Sequence, residues 1–265
     1  MANARRRQAV AADRGLHQNI ARTTLVLSAL AAAGKRGLRL TDVTQLTRIS
    51  KTAAHRCLAG LTLHGLASFE ENSGHFFLGD KIFAWGVVAR GRFELADRAT
   101  PYLERLADET EDTIYFMLRR ADDAVCYGRA EGRFPIKTLS LNVGEKRPLG
   151  VNTGTLAIMA FLDDEEVDRL IRTRAGARSN YPIKDVALRK MIIRARTCGH
   201  SRIDGEIMPG MSGVGVPVRN SRGFPVAALS VAAISARLEE PRRGQIALRL
   251  KQEAKRMQEE LAGLL

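Results

Sequence analysis

Between Thr47 and Leu61 the chain reads TRISKTAAHRCLAGL, and this run narrows the possible folds more than any other. Ala54, Cys57, Leu58 and Leu61 recur at steps of three and four, which places them on one face of a helix. At about 100° per residue, Thr52, His55, Arg56 and Ala59 point the other way. Ser50 stands where a cap belongs, its hydroxyl free to accept an orphan backbone N–H of the first turn. The exposed face is small, polar and basic, which suits an anionic partner. The neighbouring segments set the context. A helix is expected over Asn19–Ala33, with Ile20, Leu27, Leu30 and Ala31 as its stripe and Gly34 just beyond its end. A shorter helix fits DVTQLTR, capped by Thr41, with Val43 and Leu46 inward. After His64-Gly65, LASFE and HFFLG alternate around Asn72-Ser73-Gly74, the signal for a tight hairpin.

Three helices followed by a two-stranded ribbon is the order of a winged helix-turn-helix. In that arrangement the third helix enters the major groove by its N-terminal residues. Arg can bond guanine bidentately, while Ser and Thr serve base edges and phosphates. The candidate DNA-binding residues are therefore Arg48, Ser50, Lys51, Thr52, His55 and Arg56. The same periodicity also fits a tri-helical packing unit whose polar face is merely solvated. Charge favours the first reading. Of 265 residues, 42 are Lys or Arg and 29 Asp or Glu, a net of +13. Residues 1–80 hold eleven basic against five acidic residues, about twice the charge density of the remainder. Such an excess speaks to partners and not to fold.

The rest of the chain organises itself around this unit. Residues 1–18, with Arg5-Arg6-Arg7, read as a flexible basic arm, and 19–79 as the DNA-binding domain. Asp80 to Arg98 reads as a linker helix, restarted or kinked at Thr100-Pro101. Residues 99–265 read as an α+β domain with an antiparallel sheet. Its strand candidates are TIYFMLRR, AVCYGRAE, IKTLSL, SGVGVPVRN and FPVAALSVAAI. Helices are expected near 153–162, 164–173, 185–197 and 242–264. Cys57, Cys126 and Cys198 are far apart and form no CxxC, which argues against a disulfide scaffold or zinc ribbon and fits a reducing cytoplasm. The N-terminus lacks the apolar core of a signal peptide, and LVLSALAAAG at 25–34 is too short to cross a bilayer. Catalytic alternatives are poorly supported. His200-Ser201 with Asp204 lacks a GxSxG elbow, and GMSGVG breaks the dinucleotide spacing. No cofactor or metal is expected.

Both halves together resemble an IclR-type transcriptional regulator. The resemblance rests on LTDVTQLTRISKTAAHRCLAGLTLHGLASFEENSGHFFLG in the first half. In the second it rests on ADETEDTIYFMLRRADDAVC, GEKRPLGVNTGTLAIMAFL, GHSRIDGE and GVGVPVRNSRGFPVAALSVAAI. It implies a winged-helix domain, a linker helix and an effector-binding domain. It also implies a homodimer or dimer of dimers on double-stranded DNA, with no membrane attachment. A small organic acid is expected between the sheet and the loop PLGVNTGTLAIMA. The effector residues implied are Met117, Thr153, Gly154, Asp204, Gly213, Ser230 and Ala232. The family's usual His, Lys, Cys and second Ser are here Gly150, Leu156, Gly213 and Ala232. These departures suggest either fewer polar contacts, more space and a bulkier acid, an aromatic one included, or equally a shrunken or silent pocket. A small-molecule sensor acting through protein partners is the alternative, and a hydrolase is the least favoured reading.

Overall fold

The computed structural model describes residues 2–89 and 93–265, with side chains described from Gln18 onward. The chain divides into two compact units, Met1–Arg92 and Phe93–Leu265.

In the first unit α1 spans Ala2–Ala33, α2 Leu40–Thr47 and α3 Lys51–Leu63. Strands β1 (Ala67–Glu70) and β2 (His75–Leu78) form an antiparallel hairpin. The backbone expected as a flexible arm is thus part of α1, in keeping with the helix propensity of its Ala, Arg and Gln residues. The side chains of Arg5, Arg6 and Arg7 lie outside the described residues. The core is Val26, Leu30, Val43, Ala54, Leu58, Leu61 and Ala67. Ile20 and Leu46 are exposed, each at 65%. The buried stripe of α1 therefore runs through Val26 and Leu30 rather than Ile20 and Ala31. Arg39, not Thr41, is the residue before α2, and its N–H donates to Asp42 at 2.9 Å. A backbone bridge from Leu38 to Phe76 extends the hairpin. Gly37 allows that approach: at φ +62, a β-carbon there would lie 2.6 Å from the Phe77 ring. Helix α4, Asp80–Ala89, buries none of its residues, and Phe83, Trp85, Val87 and Val88 are exposed on it.

The second unit opens with α5, Glu94–Thr110. Residues 94–98 therefore belong to this helix and not to a linker ending at Arg98. Leu95 and Ala99 are buried in the core of this unit, and Pro101 lies within the helix without ending it. The neighbouring Thr100 hydroxyl donates back to the Ala96 carbonyl at 3.1 Å. Burial of one whole face overrides the cost of the proline.

The sheet contains β3 (Thr113–Arg120), β4 (Asp123–Glu131), β5 (Lys146–Pro148), β6 (Ser201–Asp204), β7 (Met211–Arg219) and β8 (Pro225–Ile234). Its order is β5-β4-β3-β8-β7-β6, antiparallel throughout. Alternation along each strand divides the apolar residues between two cores. Ile114, Phe116, Val214, Val216, Leu229 and Val231 face α5 and α10 (Arg242–Glu260). Tyr115, Met117 and Ala228 face the opposite layer, built from α6 (Thr153–Ala160), α7 (Asp164–Thr173), α8 (Ala175–Arg178) and α9 (Asp185–Cys198). The expected strand IKTLSL does not form; residues 136–141 are irregular, and β5 follows them instead.

Candidate functional site

The front of α3 is built by its own cap. Ser50 is extended, at φ −60 and ψ 148, and its hydroxyl accepts the Ala53 N–H at 3.4 Å. Arg48 before it sits in the left-handed region at φ 56, which ends α2 and turns the chain into α3. Ala54, Leu58 and Leu61 are buried beneath the helix, and the Cys57 thiol lies 3.8 Å from the Thr23 hydroxyl. Arg48, Ser50, Lys51, Thr52, His55 and Arg56 are all exposed. The side chains of Lys51, Thr52, His55, Arg56 and Arg48 carry no hydrogen bond or ion pair among the described residues. They form one polar, basic face that no side chain among the described residues engages. The hairpin tip differs in character. Glu70 accepts from the Ser73 hydroxyl, and Glu71 follows it, so the tip offers carboxylates and not cations.

The second arrangement lies where α6 meets the sheet. Asn152 caps α6 by accepting the Thr155 N–H at 2.8 Å, and the Thr155 hydroxyl accepts the Asn152 N–H at 3.0 Å. The N–H groups of Thr153 and Gly154 are left without an acceptor among the described residues. They are the positive end of a helix, suited to an anion. Three glycines let this end close on the sheet. A β-carbon at Gly154 would lie 2.8 Å from the Met117 side chain, and one at Gly213 would lie 2.2 Å from the Thr153 hydroxyl. One at Gly215 would meet the Thr153 carbonyl at 2.9 Å. The Ser201 hydroxyl, fully buried, donates to that carbonyl at 2.7 Å and pins the turn from below.

Two adjoining cavities open there. One of about 60 Å³ is lined by Tyr115, Met117, Ser140, Gly154 and Ser230 among others. The other, of about 90 Å³, is lined by Thr138, Ile203, Ile207, Met208, Met211 and Gly213 among others. They share Ser140, Asn152, Thr153 and Ala232, so they are two compartments of one site. Each has room for several water-sized groups. The Tyr115 hydroxyl donates to the Thr138 carbonyl, and burial pushes its pKa up to about 12, so it stays a neutral donor. Burial likewise pushes the Cys126 thiol up to about 11.

Of the seven residues anticipated here, Met117, Thr153, Gly154, Gly213, Ser230 and Ala232 line these compartments. Asp204 does not. It sits on β6 one position after Ile203, so alternation turns it away, and Arg202, Arg194 and Arg243 hold its carboxylate at 2.6, 3.7 and 3.3 Å. Of the two readings of the missing side chains, extra space and a shrunken pocket, the packing favours the second. Leu188 and Met159 fill the position where a side chain on Gly150 would go, and the Thr153 hydroxyl fills the space above Gly213. Ser140, Asn152, Thr138 and the methionines of 208 and 211 were not anticipated. Only Asn152, ahead of Thr153-Gly154, carried a readable cap signal.

The hydrolase residues are not assembled. Ser201 is buried against carbonyls, and the His200 ring contacts the Cys198 carbonyl at 3.0 Å. Asp204 is engaged by arginines. No group of three or more His, Cys, Asp or Glu among the described residues could hold a metal ion. No described helix is long and apolar enough to cross a membrane.

Family profiles match both units of the chain. The profile of the IclR helix-turn-helix domain matches residues 20–71, and that of the bacterial transcriptional regulator IclR C-terminal domain matches residues 88–259. The HTH-type transcriptional regulator KipR of Bacillus subtilis is 26% identical over 210 residues, covering 78% of this chain and 83% of that protein. The Pca regulon regulatory protein of Pseudomonas putida is 26% identical over 230 residues, covering 86% and 78%. Thermotoga maritima IclR matches in fold with a TM-score of 0.71 at 18% identity, covering 94% of this chain and 99% of the other. An IclR homologue of Microbacterium hydrocarbonoxydans, crystallised with 4-hydroxybenzoate, matches with a TM-score of 0.65 at 21% identity, covering 92% and 99%.

Proposed function

This chain belongs to the IclR family of bacterial transcriptional regulators, and from that premise we propose that α3 reads an operator and that a small organic acid tunes its affinity. The observation that carries the proposal is the unengaged basic face of Lys51, Thr52, His55 and Arg56 on a helix whose opposite face is buried. Arg56 and Lys51 are assigned to base edges or phosphates, and Ser50, Thr52, His55 and Arg48 to flanking contacts. The carboxylate tip of the hairpin leaves phosphate neutralisation to these residues.

The exposed apolar helix α4 supports a homodimer as the binding unit, because Phe83, Trp85, Val87 and Val88 need a cover. A dimer would present two α3 helices to two half-sites. In the second unit an acid's carboxylate would take the free N–H groups of Thr153 and Gly154, beside the Ser140 and Ser230 hydroxyls. The 4-hydroxybenzoate complex of one structural neighbour favours an aromatic acid. The acid alters operator affinity only by binding one dimer arrangement more tightly than the other, and a coupling of about 1–3 kcal/mol suffices.

The test is a titration of the chain against its own upstream DNA over a series of salt concentrations. Arg56→Ala should weaken binding, and the salt slope should fall by about 0.9 for every phosphate the variant no longer neutralises. Unchanged affinity, base preference and slope would remove α3 as the reading element.

A further inference from the structure

The two compartments differ in how rigidly they are built. The inner one backs onto α6, where Gly154, Gly213 and Gly215 leave no slack between helix and sheet. The outer one is walled by the segment that links β6 to β7. That segment is bracketed by Gly205 at φ +87 and Gly210 at φ +81, both in the left-handed region, and the β-carbon position of Gly205 is 3.9 Å from the Gly210 nitrogen. The loop's two ends therefore nearly meet. Among the described residues nothing lies within 4 Å of the β-carbon position of Gly210, and Met208 at the loop's apex is 48% exposed. Met211 follows, half-buried, with the Thr138 hydroxyl 3.8 Å from its sulfur. Methionine bends around irregular shapes at little cost, so this wall can adapt.

Volume makes adaptation necessary. Compartments of about 60 and 90 Å³ are well below the several hundred Å³ of ordinary ligand pockets. The α6 side cannot yield without separating helix from sheet, so the loop must.

Resting on the reading of this cavity as the effector site, we propose that the Gly205–Gly210 loop, with Met208 and Met211, is the specificity wall. It receives the apolar body of the acid and sets its permitted size, while the start of α6 fixes the carboxylate. The ligand class is a monocarboxylic acid with a rigid apolar body reaching from Thr153 to Met208.

The experiment is calorimetry on the full chain with acetate, benzoate and 4-tert-butylbenzoate, using the native protein, Met208→Ala, Met211→Ala and Gly154→Ala. Native protein should bind benzoate more tightly than acetate. Each methionine variant should shift the ratio of 4-tert-butylbenzoate to benzoate affinity upward by about tenfold, the scale on which apolar pockets separate ligands by small groups. Acetate, too short to reach the wall, should change by less than about twofold. Met208 is exposed, so its variant is expected to fold; thermal unfolding of each variant checks this. Unchanged ratios in both methionine variants, with benzoate binding abolished in Gly154→Ala, would overturn the wall and leave the carboxylate site standing. Benzoate that fails to bind native protein, or binds Gly154→Ala equally well, would overturn the site itself and the wall with it.

Discussion

The closeness of α6 to the sheet can be tested at Gly213. A β-carbon built there lies 2.2 Å from the Thr153 hydroxyl, 3.0 Å from the Val231 carbonyl and 3.1 Å from the Thr153 β-carbon. Ordinary contact begins near 3.4 Å, so Gly213→Ala must push the first turn of α6 outward or force Thr153 from its rotamer. Threonine is branched at its β-carbon, so few rotamers offer escape. Overpacking of this kind costs about 1–3 kcal/mol. For a unit of this size that is a fall in Tm of roughly 2–12 °C. Removing the obstacle separates clash from any other effect of alanine in β7. With Thr153→Ala the hydroxyl is gone and only the 3.0–3.1 Å approaches remain, each needing a few tenths of an ångström. The double variant should therefore recover about 1 kcal/mol or more relative to the sum of the single changes. Denaturant unfolding of the four proteins completes the cycle. Strict additivity, or a Gly213→Ala protein as stable as the native one, would show that Thr153 does not occupy the space over Gly213.

Two further outcomes follow from groups elsewhere in the chain. Val88 on α4 is 85% exposed, so Val88→Asp should leave the monomer's stability nearly unchanged while abolishing association through that face; light-scattering mass that stays the same would remove α4 as the dimer surface. His200 is held below its ordinary value of 6.5, first by burial and then by Lys251 and Arg202, against the Cys198 carbonyl and Glu240, which favour its charge. A depressed pKa means the unfolded chain takes the proton first. The group's contribution is thus present above pH 6.5 and is lost as pH falls through the lower folded value. His200→Gln should flatten that part of the stability profile, and equal slopes in both proteins between pH 7 and 5 would contradict it.

What could be read from the residues alone tracks how local the deciding interaction is. Ser50 before an apolar repeat of three and four fixes α3 almost by itself, since cap and stripe lie within four turns. The hairpin at Asn72-Ser73-Gly74 and the strands around Ser221-Arg222-Gly223 are set by turn chemistry of the same range. Leu46 shows the limit. Its spacing from Val43 fits an inward face, yet α2 has only eight residues, and packing against α1 and α3 leaves Leu46 exposed at 65%. Pro101 is the converse case. Its local signal is a break, but the buried residues from Leu95 to Thr110 keep one continuous helix.

The candidate site obeys the same rule more severely. Thr153 and Gly154 are legible because a cap and a glycine announce a helix start. Asp204 is misplaced because its orientation depends on the register of β6, a four-residue strand whose inward members are Ser201 and Ile203. Alternation then turns the carboxylate toward arginines from three places: Arg202 two residues before it, Arg194 on α9 and Arg243 on α10. Arg194 and Arg243 are distant in sequence, so no local pattern could announce them. The same holds for the glycines. Loss of a side chain at 150 and 213 suggests space when read singly, whereas Leu188, Met159 and Thr153 already fill it. Small residues facing a helix are as consistent with closer packing as with a larger pocket, and only the partner's position decides. Here it decides for packing, and the segment between Gly205 and Gly210 is left as the loosely packed wall.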